Sequence, residues 1–129
     1  MRRGVGPCDD GPVEWTVLIV DDHPGFRSAA RALLEADGFE VVGEAADGES
    51  GLAAAERLRP GLVLLDIQLP DLDGFAVARR LSQAGEPPVV VLVSTRDSSA
   101  YRRRLAESPA RGFIAKSDLS GAAIAALVG

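Results

Sequence analysis

The sequence predicts an α/β fold, a five-stranded parallel sheet with helices on both faces. Three observations carry that prediction. Five short apolar runs alternate with five amphipathic stretches along the 129 residues, the pattern of strands alternating with helices. The runs are mostly continuous β-branched or leucine segments without polar alternation, as in strands covered on both faces. Each amphipathic stretch begins near an aspartate able to cap or turn the chain, namely Asp22, Asp47, Asp73, Asp97 and Asp118.

The first strand is read at 15–20 (WTVLIV), and a helix over 24–36 follows Asp22 and Pro24, residue types suited to opening a helix. That helix puts Phe26, Ala29, Ala30, Leu33 and Leu34 on one stripe, with Arg27, Arg31 and Glu35 away from it. The second strand is 39–43 (FEVVG), with a helix over 48–58 behind Asp47. The third, 62–66 (LVLLD), closes an apolar run with Asp66 and leads through a Pro- and Asp-containing loop to a helix over 74–83. The fourth, 88–94 (PVVVLVS), precedes a helix over 97–107. The fifth, 112–115 (GFIA), precedes a helix over 118–128. Residues 1–12, rich in Gly, Pro and Asp, are read as a mobile leader to a single domain at 13–129.

Composition narrows the function. With 47% hydrophobic and 26% charged residues the chain is expected to bury one core. No window approaches a membrane span and the start lacks the apolar region of a secretory signal, so a soluble cytoplasmic protein is expected. The lone Cys8 excludes an intramolecular disulfide or a cysteine metal cluster. A net charge of −5 disfavours binding to nucleic acid or anionic membrane. Thirteen arginines accompany a single lysine, Lys116. An ammonium is a compact point charge that can meet one anionic oxygen where a guanidinium fork has no room, so Lys116 stands out.

In a parallel sheet the ligand site lies beyond the carboxyl ends of the strands. Here those ends carry Asp21 and Asp22, Asp66, Ser94 and Thr95, and the approach to Lys116. Carboxylates gathered at low exposure repel unless a cation neutralises them. A hard divalent ion is implied, and Mg2+ fits best because it takes a few carboxylate or carbonyl oxygens and shares its shell with phosphate. Plain structural roles compete at several positions. Asp22, Ser94 and Thr95 have the chemistry of helix caps, His23 that of a solvated loop residue and Phe113 that of a core aromatic. Arg102 to Arg104 read most simply as a solvated helix face, and Trp15 and Tyr101 offer no functional clue.

Taken together, VLIVDDHP, LVLLDIQLPDLDG, the hydroxyl of VVVLVST and the lysine of GFIAK resemble the receiver domain of two-component response regulators over roughly residues 15–128. The DDHP start and the KSD segment are most similar to receivers attached to LuxR-type helix-turn-helix regulators. The resemblance implies a flavodoxin-like (βα)5 fold with strand order 2-1-3-4-5. It implies Asp66 as phosphoacceptor for a sensor histidine kinase, with Mg2+ held by Asp21, Asp22, Asp66 and the backbone carbonyl of Gln68. Ser94 and Lys116 would contact the phosphoryl group, and Phe113 matches the switch aromatic. The only catalysis implied is the domain's own phosphoryl transfer and dephosphorylation. The surface expected to switch, a partner-binding or homodimer face, is formed by the fourth helix, fifth strand and fifth helix. The chain itself is expected not to bind DNA specifically, its output passing through a partner.

Phosphoryl transfer is mainly positioning and charge neutralisation, and the strand ends supply a nucleophile, a metal site, a hydroxyl and an ammonium. Pro70 and the DLDG turn, with Gly74 free to take a positive φ, are expected to shape the loop after Asp66. Three departures from the family pattern stand out. Ser117 replaces the proline many receivers carry after the lysine, Thr95 stands where a small residue is usual, and Arg96 and Gln68 occupy variable flanking positions. Rival functions fit less well. A flavodoxin-like cofactor carrier needs donors for a phosphate where DDHP offers two anions. An aspartyl phosphohydrolase needs a second acid where Gln68 stands. A phosphorylation-independent interaction module would have no use for the complete acidic set. No GxxxxGK loop for a nucleotide is present.

Overall fold

A computed structural model describes residues 15–128. The leader read at residues 1–12, with Cys8, lies outside the described residues. Five strands, β1 (Thr16–Val20), β2 (Glu40–Ala45), β3 (Leu62–Asp66), β4 (Val89–Ser94) and β5 (Gly112–Ala115), form one sheet in the order β2-β1-β3-β4-β5. Every pairing is parallel. The helices are α1 (Pro24–Ala36), α2 (Gly48–Leu58), α3 (Gly74–Ser82), α4 (Arg102–Glu107) and α5 (Gly121–Val128).

The continuous apolar runs follow from burial on both sides. Leu18 and Val20 of β1, Val63 and Leu65 of β3 and Leu92 of β4 join Ala54 and Ala55 of α2 and Phe75 and Val77 of α3 in one core. Their neighbours Val17, Ile19, Leu62, Leu64, Val91 and Val93 face the other way, onto Ala30 and Leu34 of α1 and Ile124 of α5. Successive strand side chains alternate faces, so a strand buried twice has no position left for a polar residue until it ends. At those ends the sequence turns polar. The strand order reverses between β1 and β3, which opens a crevice there.

Several element boundaries differ from the sequence expectation. The second strand runs to Ala45, whose carbonyl accepts the Asp21 N–H at 3.0 Å, and so continues past Gly43. The third helix ends at Ser82. The stretch at 97–107 is two pieces, a 3₁₀ turn over Ser98–Tyr101 and then α4. Asp97 accepts the Ser99 N–H at 3.1 Å and also takes the Ser99 hydroxyl, an arrangement that favours a tight turn over a regular first helical turn. The last helix starts at Gly121, because Lys116–Asp118 form a separate 3₁₀ turn and Leu119 is extended. Among the described residues no peptide bond is cis, so Ser117 enters that turn in the trans form.

The capping aspartates divide in the same way. Asp47, Asp73 and Asp97 accept N–H groups of the helical turns they precede. Asp22 does not cap α1, which starts at Pro24 with no side-chain cap. Asp118 lies inside the 3₁₀ turn, and the start of α5 is instead satisfied by Ser120 Oγ, 2.9 Å from the Ala123 N–H, and by Asp37 Oδ2, 3.0 Å from the Gly121 N–H. On α1, Ala30 and Leu34 are buried and Phe26 and Leu33 half-buried, whereas Ala29 is exposed, so the stripe is narrower than expected.

Asp37 thus ties the end of α1 to the start of α5 through a carboxylate at a helix N-terminus. Asp37→Ala is expected to lower stability to urea by about 1 kcal/mol, and Asp37→Asn to retain most of it. An unchanged midpoint in Asp37→Ala would show that the contact carries no stability.

Candidate functional site

The crevice between β1 and β3 collects the polar residues that end the strands. Asp21 follows β1 and is fully buried. Its N–H is bound to β2, its Oδ1 accepts the His23 N–H at 2.8 Å, and its carbonyl accepts Arg27 Nη1 at 2.6 Å. Asp22 and His23 are exposed at the mouth, with His23 Nδ1 3.1 Å from Oδ1 of both Asp21 and Asp22. Asp66 ends β3 and is buried, its Oδ1 accepting the Gln68 N–H at 3.1 Å.

Among the described residues one cation faces both buried carboxylates. Lys116 Nζ lies 2.6 Å from Asp21 Oδ2 and 3.5 Å from Asp66 Oδ2, and 4.5 Å from the centre of the Phe26 ring. Only 11% of its side chain is exposed, so the charge is held in a poorly hydrated place where its attraction is little screened. The Asp21 Oδ2 contact is an ion pair without hydrogen-bond geometry, which leaves that buried oxygen short of a directed donor. Burial pushes the Asp66 carboxyl above its ordinary range. The neighbouring Asp21 charge adds to the rise, and the Gln68 N–H and Lys116 oppose it.

The loop after Asp66 is fixed from several sides. Gln68 pairs with Asp73 in a short antiparallel bridge, and the Gly74 N–H donates to the Ile67 carbonyl at 2.8 Å. Gly74 is required here, but not for the positive φ expected from the sequence. Among described glycines only Gly38 has one, whereas a Cβ at Gly74 would stand 2.6 Å from Ile67 Cα and closer still to the Asp66 carbonyl. Asp71 caps α2 through the N–H groups of Gly48 (2.7 Å) and Glu49 (3.0 Å), and those two donors hold its carboxyl below the usual range.

Ser94 ends β4, buried beside Asp66, which pairs with Val93 one step earlier. Its Oγ accepts the Arg96 N–H at 3.1 Å and lies 3.3 Å from the Tyr101 hydroxyl. Thr95 and Arg96 are exposed. Phe113 is half-buried, its ring 6.3 Å from that of Tyr101, which in turn sits 5.9 Å from Phe75.

The structure therefore brings Asp21, Asp22, Asp66 and Lys116 together, with Ser94 on the next strand end and the Gln68 backbone against Asp66. Asp21, Asp22, His23 and Asp66 each offer a ligand atom, all within 4.8 Å of one another. Two buried carboxylates and an exposed third, set against one ammonium, leave excess negative charge and an under-bonded oxygen. A hard divalent ion such as Mg2+ fits that donor set.

Three residues were not legible as site residues. Tyr101 reaches Ser94 only because the 3₁₀ turn aims it inward. Arg27 is half-buried and anchors the Asp21 backbone; a cation near a helix N-terminus, where the macrodipole disfavours it, was the signal that it has a nearby partner. Arg102 to Arg104 are exposed, as expected of a solvated face, and Arg104 in addition places its guanidinium 4.3 Å over the Phe75 ring and Nη2 2.5 Å from Asp73 Oδ2.

The raised Asp66 carboxyl sets a pH dependence. In metal-free protein the folded state holds the Asp66 proton to higher pH than the unfolded chain does. Stability from this group is complete below the ordinary carboxylate range and is lost as pH rises through the folded value. Asp66→Asn is expected to melt above wild type at neutral pH without metal, the gap closing toward the acid end. A gap that is constant with pH, or of opposite sign, would contradict the assigned cause.

The response regulator receiver domain family matches residues 17–126. The chain is 46% identical over 100 residues to BvgA of Bordetella pertussis, described as a positive transcription regulator of virulence factors, covering 78% of this chain and 48% of the relative. It thus spans about half the length of such curated relatives. The signal receiver domain of the response regulator NarL from Mycobacterium tuberculosis superposes with a TM-score of 0.78 at 32% identity, covering 92% of this chain and 99% of that one. A LuxR-family two-component response regulator from Aurantimonas sp. SI85-9A1 gives 0.80 at 28% identity, covering 91% and 87%. The chain belongs to the response regulator receiver domain family of two-component systems.

Proposed function

We propose that Asp66 accepts a phosphoryl group from a sensor histidine kinase and that the modification switches a partner-binding face of the domain. The observation that carries this reading is the buried Asp66 carboxylate, held beside Asp21 with Lys116 as the nearby ammonium. Asp66 is the candidate nucleophile because it ends the central strand, and its other oxygen is fixed by the Gln68 N–H. In the transfer an Asp66 oxygen bonds to phosphorus as the phosphorus–nitrogen bond to the kinase's histidine breaks, the bonding pair leaving with the imidazole nitrogen. Asp21, Asp22, Asp66 and the Gln68 carbonyl would hold Mg2+, which supplies neutralisation of the phosphoryl oxygens when bound. Lys116 meets a second phosphoryl oxygen as a point charge, and Ser94 donates its hydroxyl to a third.

Drawing Ser94 toward Asp66 vacates space beside β4 that the half-buried Phe113 ring can enter. The consequence is a shift of the face formed by α4, β5 and α5 between two packings, for partner binding or homodimerisation. A coupling on the order of 1–3 kcal/mol is the usual scale for such two-site linkage. Among the described residues no helix is long and apolar enough to cross a membrane, and we place the domain in the cytoplasm, where histidine kinases phosphorylate their partners. The net charge of −5 favours output through a partner or an attached domain over DNA contact by this chain.

Incubation with Mg2+ and a small acyl-phosphate donor is expected to raise the intact mass by one phosphate, located on Asp66 by peptide mapping. Asp66→Asn keeps the shape and removes the nucleophile, so labelling that persists in this variant would exclude Asp66 as the acceptor. Without donor, Mg2+ is expected to raise the melting temperature of wild type by mass action, and Asp21→Asn to abolish the rise. An equal rise in that variant would remove Asp21 from the metal site.

A further inference from the structure

We infer that Tyr101 is a positioning residue for Ser94, a latch that holds the hydroxyl away from Asp66 until the phosphoryl group claims it. The inference rests on the reading of Asp66 as phosphoacceptor and adds the residue that opposes the switch. Ser94 has one proton to give and two lone pairs to receive. One lone pair is taken by the Arg96 N–H, and the remaining polar contact is the Tyr101 hydroxyl at 3.3 Å. That separation is longer than the usual 2.7–2.8 Å or so between two hydroxyls, so the contact is weak and exchangeable.

A phosphoryl oxygen only accepts hydrogen bonds, so engaging it commits the single Ser94 proton and draws the side chain toward Asp66. Tyr101 cannot follow. Its ring is packed between Phe75 at 5.9 Å and Phe113 at 6.3 Å, and its backbone lies in the 3₁₀ turn pinned by Asp97. An already long contact therefore breaks when Ser94 moves. Tyr101 is also among the residues lining an open cleft of about 440 Å³ with Ile67, Leu72, Asp73 and Arg104, but its contact with Ser94 is itself buried, so breaking it carries a cost that the phosphoryl group must offset. The ring carries the event outward, since it touches Phe113 on β5 and belongs to the turn that leads directly into α4.

This arrangement differs from a relay in which Tyr101 donates into Ser94 and strengthens its bond to the phosphoryl group. The two have opposite signs. Calorimetric titration with beryllofluoride in excess Mg2+, as the phosphoryl probe, separates them. Tyr101→Phe keeps the packed ring and removes only the hydroxyl, and it is expected to bind beryllofluoride about two- to threefold more tightly than wild type, the low end of the worth of a net hydrogen bond, as suits a long contact. In a Ser94→Ala background the same change is expected to have no effect, because the latch then has nothing to hold. Affinity that is unchanged or weaker in Tyr101→Phe, or a gain that persists with Ser94→Ala, would overturn the inference.

A second readout needs no probe. In resting protein the Arg96 amide is held by Ser94 Oγ, and Tyr101→Phe is expected to speed its hydrogen exchange several-fold. Faster exchange in a protein whose wild type fails to bind beryllofluoride would leave the latch standing and remove the phosphoacceptor reading. Unchanged exchange would remove the latch whatever the wild type binds.

Discussion

Two buried carboxylates share one ammonium, and most of the polar architecture at this end of the sheet is arranged around that shortage. Asp21 and Asp66 sit at the ends of neighbouring strands with almost no access to water, and among the described residues Lys116 is the cation that bridges them. A matched ion pair in such a place roughly offsets its desolvation, but two anions on one cation do not close the balance. The cluster is therefore short of positive charge, which is the condition under which binding of a divalent ion becomes favourable, and only with that ion bound would the further negative charge of an acyl phosphate on Asp66 be offset. The Asp66 carboxyl is raised chiefly by its burial, and the neighbouring Asp21 charge adds to the rise.

Holding like charges together needs backbone that cannot relax away from them. The neighbouring loops supply it with hydrogen bonds that lead away from the crevice. Arg27 grips the Asp21 carbonyl and is itself held by Glu44, which also binds Arg31, so α1, β1 and β2 are tied at one point. Asp71 reaches from the loop after Asp66 to the first N–H groups of α2. Gly74 lets α3 begin against the backbone of Asp66 and Ile67 at a distance no side chain would allow. Arg104 closes the far side by lying over Phe75 and pairing with Asp73, the residue that caps α3. These contacts tie the loop ends, so any repacking on phosphorylation would fall to Ser94 and Phe113, with Tyr101 held in its 3₁₀ turn.

The parts legible in the sequence are those governed by period and by chain order. Continuous apolar runs marked strands buried on both faces, and the polar residue closing each run marked the crevice, so Asp21, Asp66, Ser94 and Lys116 could be read before any geometry was known. What could not be read depends on distance in space. Asp37 at the end of α1 caps α5, 84 residues later, and nothing near Gly121 in the sequence announces it. Gly74 was correctly singled out for the wrong physical reason, because a positive φ and a close approach both demand glycine and the sequence does not distinguish them. Tyr101 lay in a segment that reads as one helix. Its inward aim comes from the Asp97 turn that breaks that helix, a competition between side-chain and backbone hydrogen bonds that a hydrophobic period does not record.

If the charge shortage at Asp21, Asp66 and Lys116 is met by a divalent ion, that ion and Lys116 together would offset the charge of a phosphoryl group on Asp66. A crystal structure of the chain with Mg2+ and beryllofluoride tests it most directly. The account predicts the ion on carboxylate oxygens of Asp21, Asp22 and Asp66, beryllium bonded to an Asp66 oxygen, and Lys116 Nζ and Ser94 Oγ each within hydrogen-bond distance of a fluorine. An ion bound without Asp21, or beryllofluoride that leaves Asp66 bare while Lys116 keeps both of its carboxylate contacts, would contradict it.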